Sequence, residues 1–190
     1  TATSCQECNV GSYCLLGAAV AVPCYAGTFT NATNLTSAAE CTQCPAGSSC
    51  VTGSIAPAEC RPGTYAAIEG LGRCDACPGG SFQSASGATA CDTCTAGSYC
   101  PLGSSTALPC DSGSFSSATW LEAQSECNTT EPGYFSSKGS IVPTPCSPGT
   151  FAATTGSGAC DACPAGSFQG AATATSCQEC NVGSYCLLGA

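Results

Sequence analysis

The sequence has no histidine and no methionine, a single tryptophan, and three basic side chains against twelve acidic ones. Three cations are too few to follow a phosphate backbone, so we expect no nucleic-acid partner. Without histidine the usual activator of a nucleophilic serine is missing, and the scattered carboxylates form no convincing acid–base pair. These absences predict a protein that is not an enzyme.

Large apolar side chains are scarce, because Leu, Ile, Val and Phe together supply fewer than one residue in five. This is too little apolar surface for the single core that a chain of 190 residues normally builds. No apolar run is long enough to span a membrane, and the lack of a signal peptide is expected of an internal segment of a longer secreted precursor. What the chain has instead is 21 cysteines, which predict a disulfide scaffold in an oxidising, extracellular compartment.

The chain repeats itself. Residues 1–18 recur letter for letter as residues 173–190, so the sequence holds one 172-residue period of a tandem array and the start of the next. The period is itself double, because most cysteines return after 86 residues. This predicts four segments: the end of a preceding module (1–4), a first half-repeat (5–90), a second half-repeat (91–176) and the start of the next 172-residue repeat (177–190).

Each half-repeat is built from loops that begin Cys-x-x-Gly, usually followed by Ser or Thr and then Phe or Tyr. The glycine permits a tight turn with positive φ, and the aromatic ring can lie over the disulfide as a miniature core. Frequent Gly and Pro, without helical periodicity, predict short β-strands and turns with little or no helix. We expect small disulfide-rich modules in tandem, forming an elongated rod with no single hydrophobic core.

The internal repeat indicates how the cysteines pair. Cys44 and Cys50 are replaced together, by Thr130 and Ser136, in the second half-repeat, which suggests that they bond to each other. Extending this rule uses every cysteine except Cys5, whose partner would lie in a preceding repeat. The predicted pairs are Cys8–Cys14, Cys24–Cys41, Cys44–Cys50, Cys60–Cys74, Cys77–Cys91, Cys94–Cys100, Cys110–Cys127, Cys146–Cys160, Cys163–Cys177 and Cys180–Cys186.

A competing scheme pairs the first cysteine with the third and the second with the fourth, which would join Cys5 to Cys14 and Cys8 to Cys24. It also forces lone Cys-x-x-Cys bonds at 74–77 and 160–163, so the first scheme is favoured.

Two other uses of cysteine compete with structural disulfides. Cys74, Cys77, Cys91 and Cys94 approximate the spacing of a four-cysteine zinc site, but they belong to an unbroken cysteine series. Thioredoxin-type redox chemistry needs a thiolate at a helix start, and the sequence predicts no such helix. We expect no metal and no cofactor.

Three sequons predict N-linked glycans at Asn31, Asn34 and Asn128. Trp120 stands at the half-repeat position that Asn34 occupies in the first half. It could cover the Cys110–Cys127 disulfide together with Leu121, or it could make a lateral contact with a neighbouring chain or sugar.

Three motifs carry a family resemblance: Cys-Pro-Ala-Gly-Ser-Phe at 163–168, Cys-Arg-Pro-Gly-Thr-Tyr at 60–65 and Cys-Thr-Ala-Gly-Ser-Tyr-Cys at 94–100. They resemble ephrin-receptor-like cysteine-rich repeats and the first loop of TNF-receptor-type modules, over essentially the whole chain. The resemblance implies an elongated, disulfide-laddered rod of the kind found in long surface proteins of algae and protists. Thr130 and Ser136 depart from the pattern, and no ligand-binding residues carry over.

We therefore expect a structural protein that forms a glycosylated extracellular fibre or cell-surface appendage. Its partners would be copies of itself, along or beside the fibre axis, and glycans. One alternative is a receptor-type ectodomain or stalk that spaces or binds a protein ligand, and another is a protist surface-coat protein. Long repeats of near-identical sequence favour the fibre, because a fibre needs equivalent units.

Overall fold

A computed structural model describes residues 5–190. Across these residues every strand is two residues long, and the strands pair into ten two-stranded antiparallel sheets. Helix is limited to two 3-10 turns, Ala38–Glu40 and Gln124–Glu126. The prediction of small disulfide-rich modules with short strands and little helix is confirmed.

Each sheet is a hairpin with a fixed relation to the sequence motif. Its first strand begins directly after the Cys-x-x-Gly turn, except that Thr130 replaces the cysteine in one loop, and its second strand ends just before the residue that starts the next loop. The pairs are Ser12–Tyr13 with Val22–Pro23, Thr28–Phe29 with Thr42–Gln43, Ser48–Ser49 with Ala58–Glu59, Thr64–Tyr65 with Asp75–Ala76, Ser81–Phe82 with Asp92–Thr93, Ser98–Tyr99 with Leu108–Pro109, Ser114–Phe115 with Asn128–Thr129, Tyr134–Phe135 with Thr144–Pro145, Thr150–Phe151 with Asp161–Ala162, and Ser167–Phe168 with Gln178–Glu179.

The described chain forms two compact units. The first contains the described residues up to Pro78, together with Phe82–Asp92 and Leu102–Thr106. The second contains Gly79–Ser81, Thr93–Pro101 and Ala107–Ala190. Every disulfide lies within one unit or the other.

Cysteine supplies most of the buried apolar side chains in both units. The few large apolar residues that are buried belong to two small clusters. In the first unit Tyr13 and Leu35 pack with Cys24 and Cys41. In the second unit Leu121 packs with Cys110 and Cys127, and the half-buried Tyr99 lies against them.

Aromatic rings pack against disulfide cysteines in both clusters. Those that follow the turn in the long loops are only half-buried: Phe29, Tyr65, Phe82, Phe115, Phe151 and Phe168. The rings in the two clusters, Tyr13 and Tyr99, come from short loops and pack against the disulfide of the loop that follows.

Candidate functional site

The disulfides are the repeated chemical feature of the fold. Residues 5–190 contain ten, each with its Cα atoms 5.7–6.1 Å apart, within the range that an S–S bridge spans. The structure joins Cys8–Cys14, Cys24–Cys41, Cys44–Cys50, Cys60–Cys74, Cys77–Cys91, Cys94–Cys100, Cys110–Cys127, Cys146–Cys160, Cys163–Cys177 and Cys180–Cys186. These are the pairs that the first sequence scheme proposes, and Cys5 is a free, exposed thiol.

The turn glycines connect each loop to the next one. The N–H of Gly113, for example, donates to the carbonyl of Ser136 at 2.7 Å, and the Gly113 carbonyl accepts from the N–H of Thr130 at 3.0 Å. Each turn glycine in the described chain up to Gly166 makes the same two bonds: Gly11, Gly27, Gly47, Gly63, Gly80, Gly97, Gly113, Gly133, Gly149 and Gly166. Neighbouring loops are thus held together by backbone atoms, which explains why the side chains can vary.

A second set of ten residues donates a backbone hydrogen bond to the residue that starts an earlier loop: Asn34, Gly53, Gly70, Gly87, Gly103, Trp120, Gly139, Gly156, Thr173 and Gly189. All ten have positive φ, and seven are glycine, the residue that adopts this conformation without steric cost. The exceptions are Asn34, Trp120 and Thr173, with φ between 60° and 66°. Asparagine tolerates this region, whereas tryptophan is a clear outlier there.

Trp120 does not cover the disulfide beside it. Leu121 is the residue that packs on the Cys110–Cys127 bond, whereas Trp120 is 55 % exposed and lies outside that cluster. Its backbone is fixed by the bond from its N–H to the carbonyl of Cys94, at 3.1 Å. The indole is therefore displayed on the surface from a strained but anchored position.

The three sequon asparagines are all exposed. The Oδ1 of Asn34 accepts a hydrogen bond from the N–H of Cys8 at 3.2 Å, which leaves the Nδ2, the atom that would carry a sugar, uninvolved in that bond. Asn128 lies in the strand Asn128–Thr129, directly opposite Phe115. Nothing in these positions tests whether sugars are attached, so the glycans at Asn31, Asn34 and Asn128 stay a prediction.

The loop that lacks its cysteines is preserved. Thr130 and Ser136 are both fully buried, and strand Tyr134–Phe135 between them pairs with Thr144–Pro145 like the other hairpins. The family resemblance does not predict whether this loop keeps its shape without the disulfide. The backbone shows that it does.

Residues 177–190 repeat the sequence of residues 5–18 and lie inside the second unit. The disulfide Cys163–Cys177 forms a joint between this segment and the preceding loop. The N–H of Gly189 donates to the Cys163 carbonyl at 2.9 Å, and the N–H of Gln169 donates to the Ala190 carbonyl at 2.8 Å. The joint therefore uses the same kinds of bond as the interior of the repeat.

Two tyrosines form the only ring pair in the part of the chain that the structure describes. The hydroxyls of Tyr13 and Tyr25 lie 3.3 Å apart, and the ring centroids are 6.5 Å apart. This hydrogen bond raises the pKa of Tyr13 above the usual tyrosine value. The second half-repeat has Tyr99 and Asp111 at the equivalent positions, so the pair is specific to the first half.

The zinc-like set is fully committed to disulfides. Cys77 and Cys91 bond to each other, Cys74 bonds to Cys60, and Cys94 bonds to Cys100. Within residues 5–190 no three His, Cys, Asp or Glu side chains are grouped so as to hold a metal ion. None of the helices over the same residues has the length and apolar character of a membrane span.

Sequence reasoning missed one surface feature. A groove of about 520 Å³ in the second unit is lined by Phe115, Asn128, Thr129, Glu131, Tyr134 and Pro143. The sequence indicates this groove only where its lining residues differ from the residues 86 positions earlier. Tyr134 and Glu131 stand where the first half has Ser48 and Pro45.

Two stretches of the chain match a known family model. Residues 63–101 and 133–180 match the family model described as tyrosine-protein kinase ephrin type A/B receptor-like. No curated protein matches the chain. The family match and the disulfides together support an ephrin-receptor-like, cysteine-rich module of extracellular type over these two stretches.

Proposed function

We propose that this chain is a structural segment of a glycosylated extracellular fibre or cell-surface appendage, in which the 172-residue unit repeats along the axis. Support comes from the joint. The start of the next repeat is bonded to the end of the present one by Cys163–Cys177 and by the Gly189–Cys163 backbone bond, just as loops within the repeat are bonded. Such a joint can be copied indefinitely, because each loop needs only its neighbours.

The proposal assigns the four segments of the sequence to this architecture. Residues 1–4 end a preceding module, 5–90 and 91–176 are the two half-repeats, and 177–190 open the next repeat. In this arrangement Cys5 bonds to a cysteine equivalent to Cys163 in a preceding copy, because Cys5 and Cys177 occupy identical sequence positions. The array is a rod, it resides outside the cell where disulfides persist, and it performs no catalysis.

The family match favours one alternative, a receptor-type ectodomain or stalk that spaces or binds a protein ligand, since the matched description is receptor-like. The two functions differ in what the modules must do. A fibre needs equivalent units, whereas a binding ectodomain needs one module that differs from the rest.

Electron microscopy separates the two. A secreted chain of several tandem 172-residue units, and the native material that contains it, should appear as filaments with an axial repeat that scales with the number of units. Globular particles of the multi-unit chain, or discrete native monomers held by a membrane anchor, would reject the fibre and support the ectodomain.

A further inference from the structure

The groove beside Asn128 combines an apolar floor with a few polar groups. Phe115, Tyr134 and Pro143 are half-buried and supply the floor, while Glu131 and Asn128 are exposed along it. Its volume of about 520 Å³ lies within the range of small-molecule sites, and its lining exposes somewhat more polar than apolar surface, as a ligand rich in hydroxyl groups requires.

Two neighbouring hairpins build the groove. Phe115 and Asn128 face each other across one hairpin, so their Cβ atoms are direct neighbours. Tyr134 opens the first strand of the next hairpin, and Pro143 directly precedes the second strand. The two hairpins are fixed by backbone bonds at Gly113 and by the buried Thr130–Ser136 contact, so the groove is pre-formed.

Some lining residues of the groove differ between the two half-repeats. Phe115 and Pro143 match Phe29 and Pro57 of the first half, so the apolar ends are common to both. The sequon asparagine, the carboxylate and the second ring are new: Asn128, Glu131 and Tyr134 replace Thr42, Pro45 and Ser48. With Thr129, which stands where the first half has Gln43, four of the six lining residues therefore differ between the halves.

The chemistry of these groups matches a sugar. A pyranose ring presents a face of C–H groups that packs on an aromatic ring, and its hydroxyls donate to carboxylate oxygens and accept from amide N–H groups. Tyr134 and Phe115 offer the rings, and Glu131 offers the charged acceptor.

We propose that this groove is a saccharide-binding site and that its occupant is the innermost part of an N-linked glycan attached at Asn128. The inference rests on the proposed function only in requiring that the chain is glycosylated. Asn128 is itself a lining residue, so a sugar linked to its Nδ2 starts within the groove, with Phe115 opposite and Tyr134 alongside. A glycan carried by a second copy of the chain offers the same chemistry from another source.

The test uses the full chain secreted from a glycosylating host, with site occupancy read by mass spectrometry. The variant Tyr134→Ser installs the residue that the first half-repeat already carries at Ser48, so the hairpin tolerates it. Tyr134→Phe is the matched control, because it keeps the ring. We expect native-state removal of the Asn128 glycan by a peptide-N-glycosidase to be about tenfold faster in Tyr134→Ser and nearly unchanged in Tyr134→Phe. Removal at Asn31 or Asn34 should not respond to either variant.

The outcomes separate the groove from the glycosylation. If Asn128 is occupied and Tyr134→Ser leaves its removal rate unchanged, the groove proposal is wrong while the glycosylated fibre stands. If Asn128 is unoccupied, the free core oligosaccharide of an N-glycan is added to Asn128→Gln and the Phe115 ring protons are followed by NMR. Saturable shifts that vanish in the Asn128→Gln, Tyr134→Ser double variant show that the groove binds a sugar that Asn128 does not itself carry. Absence of shifts overturns the saccharide site, and absence of sugar at all three sequons also removes glycosylation from the proposed function.

Discussion

The Oγ1 of Thr130 donates a hydrogen bond of 2.7 Å to the Oγ of Ser136, and both side chains are fully buried. These residues occupy the positions of the Cys44–Cys50 disulfide in the first half-repeat. The surrounding backbone is unchanged, since Thr130 bonds to Gly113 at 3.0 Å as Cys44 bonds to Gly27 at 2.9 Å. A buried hydrogen bond has thus taken the place of a covalent one without loss of the loop.

The pair Thr130→Cys with Ser136→Cys should restore the missing disulfide. Closing a loop of this length raises the unfolding free energy by about 2 kcal/mol in the chain-entropy model. Loss of the buried hydrogen bond removes about 1 kcal/mol, so we expect a net gain of about 1 kcal/mol. Denaturant unfolding under non-reducing conditions measures the gain, and a thiol reagent should count no thiols beyond those of the parent chain.

The reverse exchange is the control. Cys44→Thr with Cys50→Ser should lower the unfolding free energy by a comparable amount while the other nine disulfides form. Two additional reactive thiols in the restored variant would show that the second half-repeat cannot hold the bond.

Gly113→Ala should destabilise the second unit. Gly113 has a φ of 86°, and an added Cβ would collide with the carbonyl oxygen of Gly156. We expect a loss of more than about 2 kcal/mol, because left-handed strain and a backbone clash act together. Gly170→Ala is the matched control, since a Cβ there meets nothing within 4 Å. Equal unfolding midpoints for the two variants would refute the close approach.

These two cases show how far the sequence alone reaches. The spacing of Cys-x-x-Gly motifs predicts short strands, the near-absence of helix and the positive φ of the turn glycines, because these depend on local chemistry. It does not predict that Gly113 is covered by Gly156, since that contact joins residues 43 apart through the stacking of loops. Nor does it place Tyr13 over the Cys24–Cys41 bond or gather Phe115, Glu131 and Tyr134 into a groove. The sequence favours one cysteine pairing only because the second half-repeat lacks the equivalents of both Cys44 and Cys50.

Trp120→Asn should stabilise the isolated chain and weaken its assembly. The equivalent residue of the first half is Asn34, which holds the same positive φ at lower cost, so we expect a gain of about 1 kcal/mol. The substitution creates no sequon, because Glu122 stands at the third position. If the exposed indole makes a lateral contact, filaments of the variant should be narrower or absent while its disulfides are intact. Thr173→Gly, which relieves strain of the same kind without removing an aromatic ring, should leave the filaments unchanged.

Glu40 should make the loop Asn34–Cys41 sensitive to acid. Its Oε1 accepts hydrogen bonds from the hydroxyl and N–H of Thr36, at 2.7 and 3.0 Å, and these, with bonds from Ser37, lower the pKa of Glu40. The folded pKa lies below the unfolded one, so the stabilisation is complete above the unfolded pKa and is lost as the pH falls through the folded pKa.

An NMR titration of Glu40 checks this in chain made without N-glycans. Thr36→Val removes the hydroxyl and should raise the pKa of Glu40 towards its ordinary value, whereas Thr36→Ser keeps the hydroxyl and should leave it low. An unchanged pKa in Thr36→Val would mean that the hydroxyl does not stabilise the carboxylate.

Disulfide mapping tests the pairing and the joint together. Digestion between the loops under acidic, non-reducing conditions should release peptides that link Cys8 to Cys14 and Cys163 to Cys177, the latter crossing the repeat boundary. In a chain of two tandem 172-residue units, the second unit also has a cysteine equivalent to Cys5. This cysteine should form a disulfide with the Cys163 of the first unit, which precedes it. Peptides linking Cys8 to Cys24, or Cys74 to Cys77, would instead establish the competing scheme. The loops would then be interlocked across modules, and the joint between repeats would not be the single Cys163–Cys177 bond on which the proposed fibre rests.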